Sequence, residues 1–159
     1  VADEIGCGYS STCAVRGGSV SCWGGTSGPT TGETGSATAS PSPTVLPGIT
    51  DAIHVFAGAV SSCALHASGE VSCWGDNAVG ELGTTGGSGI VPMTVSGLSD
   101  AVQLAVGMGS SQGCALRATG AVVCWGDNSA GELGSGASAS RIQLVTGTAT
   151  AARIEPSDT

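Results

Sequence analysis

The chain repeats one short sentence three times. Cys13-Ala14-Val15 leads to Ser21-Cys22-Trp23-Gly24, Cys63-Ala64-Leu65 to Ser72-Cys73-Trp74-Gly75, and Cys114-Ala115-Leu116 to Val123-Cys124-Trp125-Gly126. The tryptophans Trp23, Trp74 and Trp125 fall at a constant step of 51 residues. A fixed period of this size marks a repeat architecture, in which each unit buries its apolar face only by stacking on a neighbour. The period constrains the fold strongly and the function weakly, because repeat scaffolds host unrelated activities.

Each unit contains a hairpin whose register can be counted. Cys63 and Cys73 lie opposite each other if the loop is Ala67-Ser68-Gly69, with Gly at the position that needs a positive φ. Cys114 and Cys124 face each other across Ala118-Thr119-Gly120 in the same way. In the first unit the Cys13 to Cys22 spacing is one residue shorter, and the loop becomes Gly17-Gly18, the composition of a primed two-residue turn. The turn absorbs the deletion and the cysteines still oppose each other. Counting outward places all three pairs at non-hydrogen-bonded sites, where strands approach most closely and a cross-strand disulfide can form. Cys13–Cys22, Cys63–Cys73 and Cys114–Cys124 are therefore the expected disulfides. The chain has no CxxC motif and only two histidines, which argues against metal binding by these cysteines.

The remaining segments are also strand-like. Ile53-His54-Val55-Phe56-Ala57-Gly58 aligns with Val102-Gln103-Leu104-Ala105-Val106-Gly107, and Asp3-Glu4-Ile5-Gly6-Cys7-Gly8 takes the same place in the first unit. After Trp-Gly comes a polar turn, Asp76-Asn77-Ala78-Val79-Gly80-Glu81-Leu82-Gly83, repeated from Asp127 to Gly134. A last strand follows at Thr44-Val45-Leu46, at Val91-Pro92-Met93-Thr94-Val95 and at Ile142-Gln143-Leu144-Val145. Pro92 predicts that this strand is an edge. Four strands in about 50 residues, with no helix-period segment, predict an all-β chain of propeller blades, each of four antiparallel strands. One repeat domain is expected over 1–159. Blade 1 covers about 1–47, with a Ser/Thr/Pro-rich insertion at 26–43. Blade 2 covers about 48–96 and blade 3 about 97–146, and 147–159 opens a fourth unit.

The motif Cys-Ala-Leu-x-x-x-Gly-x-Val-x-Cys-Trp-Gly-Asp-Asn, followed by Gly-Glu-Leu-Gly, resembles the regulator of chromosome condensation repeat, a blade of a seven-bladed β-propeller. The likeness is close in units two and three. Unit one departs from it: Gly25-Thr26 replaces Asp-Asn after Trp23-Gly24, and the Gly-Glu-Leu-Gly turn is missing. The resemblance implies the propeller and a protein-binding role. It does not imply the nucleotide-exchange activity of the family's eukaryotic founder, since no residue pattern here matches such a surface. Bacterial secreted members, which include inhibitors of β-lactamase, resemble this chain more in style.

Composition bounds the partners. The chain has no Lys, four Arg and a formal net charge of −8, the opposite of the basic footprint that nucleic acid or an anionic membrane selects. No apolar run approaches the ~20 residues that span a bilayer. Charged residues are only 10%, and Gly, Ser, Thr and Ala are abundant, which reads as a secreted surface, with Val1 following a removed leader or a truncation. The stretch Thr26 to Pro43 reads as a surface insertion, or as an O-glycosylated or partner-binding loop.

Candidate sites are few. Cys7 has no repeat-mate. Ala57 and Val106 hold its slot elsewhere, which predicts a buried position with either a free thiol or an intermolecular bond. His54 shares a slot with Gln103 and Glu4, and His66 with Arg117 and Arg16, so both are expected to be polar and exposed rather than catalytic. Without Lys or further His, a nucleophilic triad has little to draw on. Asp76, Asn77 and Glu81, with Asp127, Asn128 and Glu132, offer oxygen ligands for calcium, or cap a turn through side-chain-to-backbone bonds. The tryptophans point away from the cysteine face, either into an inter-blade core or as a sugar-stacking platform. No cofactor, metal or catalytic residue is expected.

Three blades do not close a ring, and the open arc leaves an apolar face at each end. Either the chain belongs to a longer propeller, or copies associate head to tail into a ring or filament. Ala151, Ala152, Arg153, Ile154 and Glu155 repeat the start of a blade, and are expected to add to a neighbouring subunit as an assembly strand. The functional expectation is a non-enzymatic extracellular structural protein whose partners are copies of itself. The alternative is a secreted inhibitor-like or lectin-like module that binds another extracellular protein.

Overall fold

A computed structural model of the chain describes residues 2–25, 40–107, 111–134 and 143–144. Its twelve strands form three four-stranded antiparallel sheets, each a simple meander in chain order. Blade 1 holds β1 (Glu4–Cys7), β2 (Ser11–Arg16), β3 (Ser19–Gly24) and β4 (Ser40–Val45). Blade 2 holds β5 (Ala52–Ala57), β6 (Ser61–His66), β7 (Val71–Gly75) and β8 (Gly89–Thr94). Blade 3 holds β9 (Ala101–Val106), β10 (Gln112–Arg117), β11 (Val122–Gly126) and β12 (Gln143–Leu144). No helix occurs among the described residues. β8, with Pro92, is an edge strand, where a missing N–H costs no ladder bond. β4 begins at Ser40, so the last residues of the stretch read as an insertion are strand.

The turns set the register. Gly17 and Gly18 both have positive φ, 55° and 81°, the mirror-image turn whose twist suits a hairpin. In blade 2 the N–H of His66 donates to the Glu70 carbonyl (2.9 Å) and that of Gly69 to the His66 carbonyl (3.0 Å), which closes a three-residue loop. Both turn types bring Cys13 opposite Cys22, and Cys63 opposite Cys73; Cys114 faces Cys124 likewise. Each pair is bonded, with a Cα–Cα distance of 4.1 Å, the close spacing of a non-hydrogen-bonded site.

Alternation along the strands gives every blade two unlike faces. One carries the disulfide and its flanking Val or Leu; the other carries the tryptophan and the small residues. The cores lie between blades, disulfide face against tryptophan face. Cys13, Val15, Val20, Cys22, Leu46 and Ile49 pack against Val55, Ala57, Ala64 and Trp74. One step on, Cys63, Leu65, Val71, Cys73, Leu82 and Val95 pack against Leu104, Val106, Ala115 and Trp125. A backbone bond closes each joint at the hairpin tip: Ala52 N–H donates to the Gly18 carbonyl (3.0 Å), and Ala101 N–H to the Gly69 carbonyl (2.9 Å).

Candidate functional site

The polar turn after Trp-Gly is held by its own side chains. Asn77 Oδ1 accepts from Leu82 N–H and Glu81 Oε2 from Val79 N–H, both at 2.9 Å; Asn128 and Glu132 do the same for Leu133 and Ala130. The asparagine and glutamate oxygens are thus engaged as turn caps. Among the described residues no group of three His, Cys, Asp or Glu side chains converges on a metal position. The turn also builds the next joint. The carbonyl of Glu81 accepts the indole N–H of Trp125 at 2.9 Å, so a buried donor on blade 3 is satisfied by blade 2.

Both histidines differ from simple surface groups. His54 Nδ1 lies 2.7 Å from Glu4 Oε2, which links β5 to β1 of the preceding blade, and it is half exposed. His66 was expected on the surface and is instead buried, at 8% exposure. Its Nδ1 meets Asp51 Oδ1 at 2.6 Å and its Nε2 meets Ser72 Oγ at 2.9 Å. The reason is the joint: His66 and Ser72 lie on the face that blade 1 covers. The His66 hydrogen bond holds the Asp51 carboxyl below its ordinary value. Asp, His and Ser stand in the order of a hydrolytic relay, yet Ser72 sits inside β7 at 8% exposure, where an acyl substrate has no approach. Blade 3 repeats the pin with a different basic side chain, Arg117 Nε to Asp100 Oδ1 at 2.7 Å, and with Val123 in the place of Ser72. The unit is a strand-to-hairpin clamp.

What distinguishes one surface is exposure at repeated slots. Trp74 and Trp125 are fully buried, while Trp23 is partly exposed. Val55 and Leu104 are 1% and 2% exposed, while Ile5 in the same slot is 59% exposed. Ala64 and Ala115 are sealed, while Ala14 is partly open. Cys7 is a free thiol on this face and is exposed, a correction to the buried position that its counterparts Ala57 and Val106 suggested. Those two are covered by the preceding blade, and no described sheet precedes β1. At the other end, Glu81 is 4% exposed but Glu132 is exposed, and Cys114 is less covered than Cys13 or Cys63. The assembly-strand residues Ala151, Ala152, Arg153, Ile154 and Glu155, and Thr26 to Ala39, lie outside the described residues.

Stacked four-stranded meanders with unlike faces define a β-propeller repeat protein, a binding scaffold by class. Residues 52–81 and 104–132 match the family model described as the regulator of chromosome condensation (RCC1) repeat. Two of the three repeats of this chain thus carry the RCC1 repeat pattern. It is similar to human WBSCR16 at 25% identity, with TM-score 0.73 over 90% of this chain and 37% of that one. It is also similar to Prp20p from Saccharomyces cerevisiae, at 16% identity, TM-score 0.76, and 92% and 39% coverage. The yeast RCC1 (Prp20) structure with bound Kap60 matches at 18% identity, TM-score 0.78, and 92% and 37% coverage. The chain thus spans less than two fifths of the length of these solved chains. Prp20p has binding properties toward Gsp1p and histones.

Proposed function

We propose that this chain is a non-enzymatic extracellular structural protein whose copies assemble head to tail through their blades. The observation that carries the reading is the uncovered tryptophan face of blade 1, whose slots are buried wherever a blade precedes them. An apolar face of this kind is a protein contact surface. Three cross-strand disulfides favour an oxidising compartment and hence secretion. Binding of protein partners by the similar yeast propeller supports the use of this scaffold for protein contacts. The chain's acidity supports neither nucleic acid nor membrane as partner.

A second reading is a set of blades within a longer secreted propeller that binds another protein as an inhibitor or lectin does. The share of the solved chains that this one spans favours it. Light scattering and negative-stain microscopy separate the two. The structural reading expects concentration-dependent rings or filaments, weakened by deletion from Thr148 onward, which removes the proposed assembly strand 151–155. A chain that stays monomeric at every concentration overturns it.

A further inference from the structure

The first strands of blades 2 and 3 break register at the same place. On β5, Ala52 pairs with His66 and His54 with Leu65, so Ile53 has no residue opposite it. On β9, Ala101 pairs with Arg117 and Gln103 with Leu116, and Val102 is the extra residue. Such a bulge suspends the two-residue alternation of a strand and re-aims the side chains at it. Ile53 is 47% exposed and Val102 54%, each beside a buried alanine. Blade 2 has a blade on either side, so Ile53 is open although both of its joints are filled. β5 and β9 are edge strands of their sheets and neighbour each other across the joint. An edge that only had to avoid association would carry a charge at such a point. Here a β-branched apolar side chain stands there twice, while the bulge interrupts the ladder. The surface suits contact through side chains and not the addition of a strand.

The same end of the blades is acidic. Asp51 and Asp100 stand two residues before Ile53 and Val102, with 46% and 30% of their side chains in water. Glu70 at the hairpin tip is exposed, and Glu4 meets His54 beside Ile53. The chain has no Lys, and its described arginines, Arg16 and Arg117, lie at this same end. No other described part of a second copy offers this end a basic face. We propose that Ile53 and Val102, with Asp51 and Asp100 near them, form a docking surface for a different protein, one that presents aliphatic side chains next to Lys or Arg. The aliphatic groups cover Ile53 and Val102, and the cations meet the potential of the carboxylates, which sets orientation and partner choice. The proposal does not depend on the self-assembly reading.

The test titrates the full isotope-labelled chain, at a concentration below any assembly, with a short peptide that repeats Lys-Leu-Ser. Peptides that repeat Glu-Leu-Ser and Lys-Ser-Ser are the controls. Saturable amide shifts are expected with the first peptide alone, clustered at 52–54 and 101–103. Ile53→Thr combined with Val102→Thr keeps the β-branched shape and the melting profile, and should weaken binding by ~10-fold or more through lost apolar contact. Salt should weaken it as well. No saturable shifts, shifts elsewhere, equal binding of either control peptide, or an unchanged double variant each overturns the proposal. Movement of the same amides on concentrating the chain alone also overturns it, and makes the occupant a second copy. Light scattering on the same samples reports assembly separately, so either reading can fail without the other.

Discussion

Trp23 and Trp125 occupy the same slot of the same repeat, in registers set by the same hairpin. One is partly open to water. The other is fully buried, with its indole N–H on the Glu81 carbonyl. Glu81 and Glu132 form the mirrored comparison, one buried and capping the joint, the other exposed at the far end. On the tryptophan face, the preceding blade decides whether a slot of the repeat is core or surface. A residue's type reports the geometry of its slot; on that face its burial reports whether a blade covers it.

The widest separation between the two ends comes from the tryptophans. Trp125→Ala empties a filled site and orphans an inter-blade acceptor, so it is expected to destabilise the folded chain by about 3–5 kcal/mol. Trp23→Ala in the monomer removes a ring only part of which is packed, and its cost should be well under half of that. Equilibrium urea denaturation of both variants at a concentration below any assembly checks the contrast. Equal losses would break the idea that adjacency, and not the slot, sets the energy.

This contrast also explains what could be read from residues alone. The period of 51, the glycines at the turns and the opposed cysteines are local, and local geometry fixes them before any neighbour is known. The hairpins and the propeller class follow from that. Exposure is not local. Ala57 and Val106 imply a core slot for Cys7, yet it is exposed, because no described blade covers its face. The arginines that share its slot imply a surface position for His66, yet it is buried, because the joint closes over it and Ser72 satisfies its second nitrogen. The residues carry a signal for the clamp: an acid, Asp51 or Asp100, immediately precedes the first strand of blades 2 and 3, with a basic residue, His66 or Arg117, at the hairpin. The pairing of Trp125 with Glu81 needed three dimensions, since 44 residues separate them.

The disulfides offer a smaller and sharper comparison. Cys63–Cys73 and Cys114–Cys124 have the same sequence separation of 10 residues, so the loop-closure contribution of each is alike, roughly 2–3 kcal/mol in the chain-entropy model. Their surroundings differ. Cys63 and Cys73 lie in the core under Trp125, whereas Cys114 is only partly buried. Replacing both cysteines of a pair by alanine should therefore cost more in blade 2 than in blade 3, by the packing lost at the joint. Thermal denaturation of the two double variants measures the difference directly. Equal shifts would mean that the bond acts through the unfolded chain alone.

The smallest effect separates the two clamps by their acids. Asp51 titrates below its ordinary value because His66 donates to it and adds charge attraction, against a counteracting cost of desolvation. A carboxyl whose folded pKa is depressed adds stability above its unfolded pKa, which the ordinary value of 3.8 approximates. That stability is lost as the pH falls through 3.8 toward the folded value. Nearly half of the Asp51 side chain is in water, so screening keeps the contribution small. Asp51→Asn keeps the shape and removes the titration. Acid unfolding of wild type should therefore be steeper below pH 4 than that of Asp51→Asn, with the two profiles parallel from pH 5 to neutrality. Salt should narrow the gap, because the pair is partly exposed. A wild-type profile that already diverges from that of Asp51→Asn near neutrality would overturn Asp51 as the source of the difference.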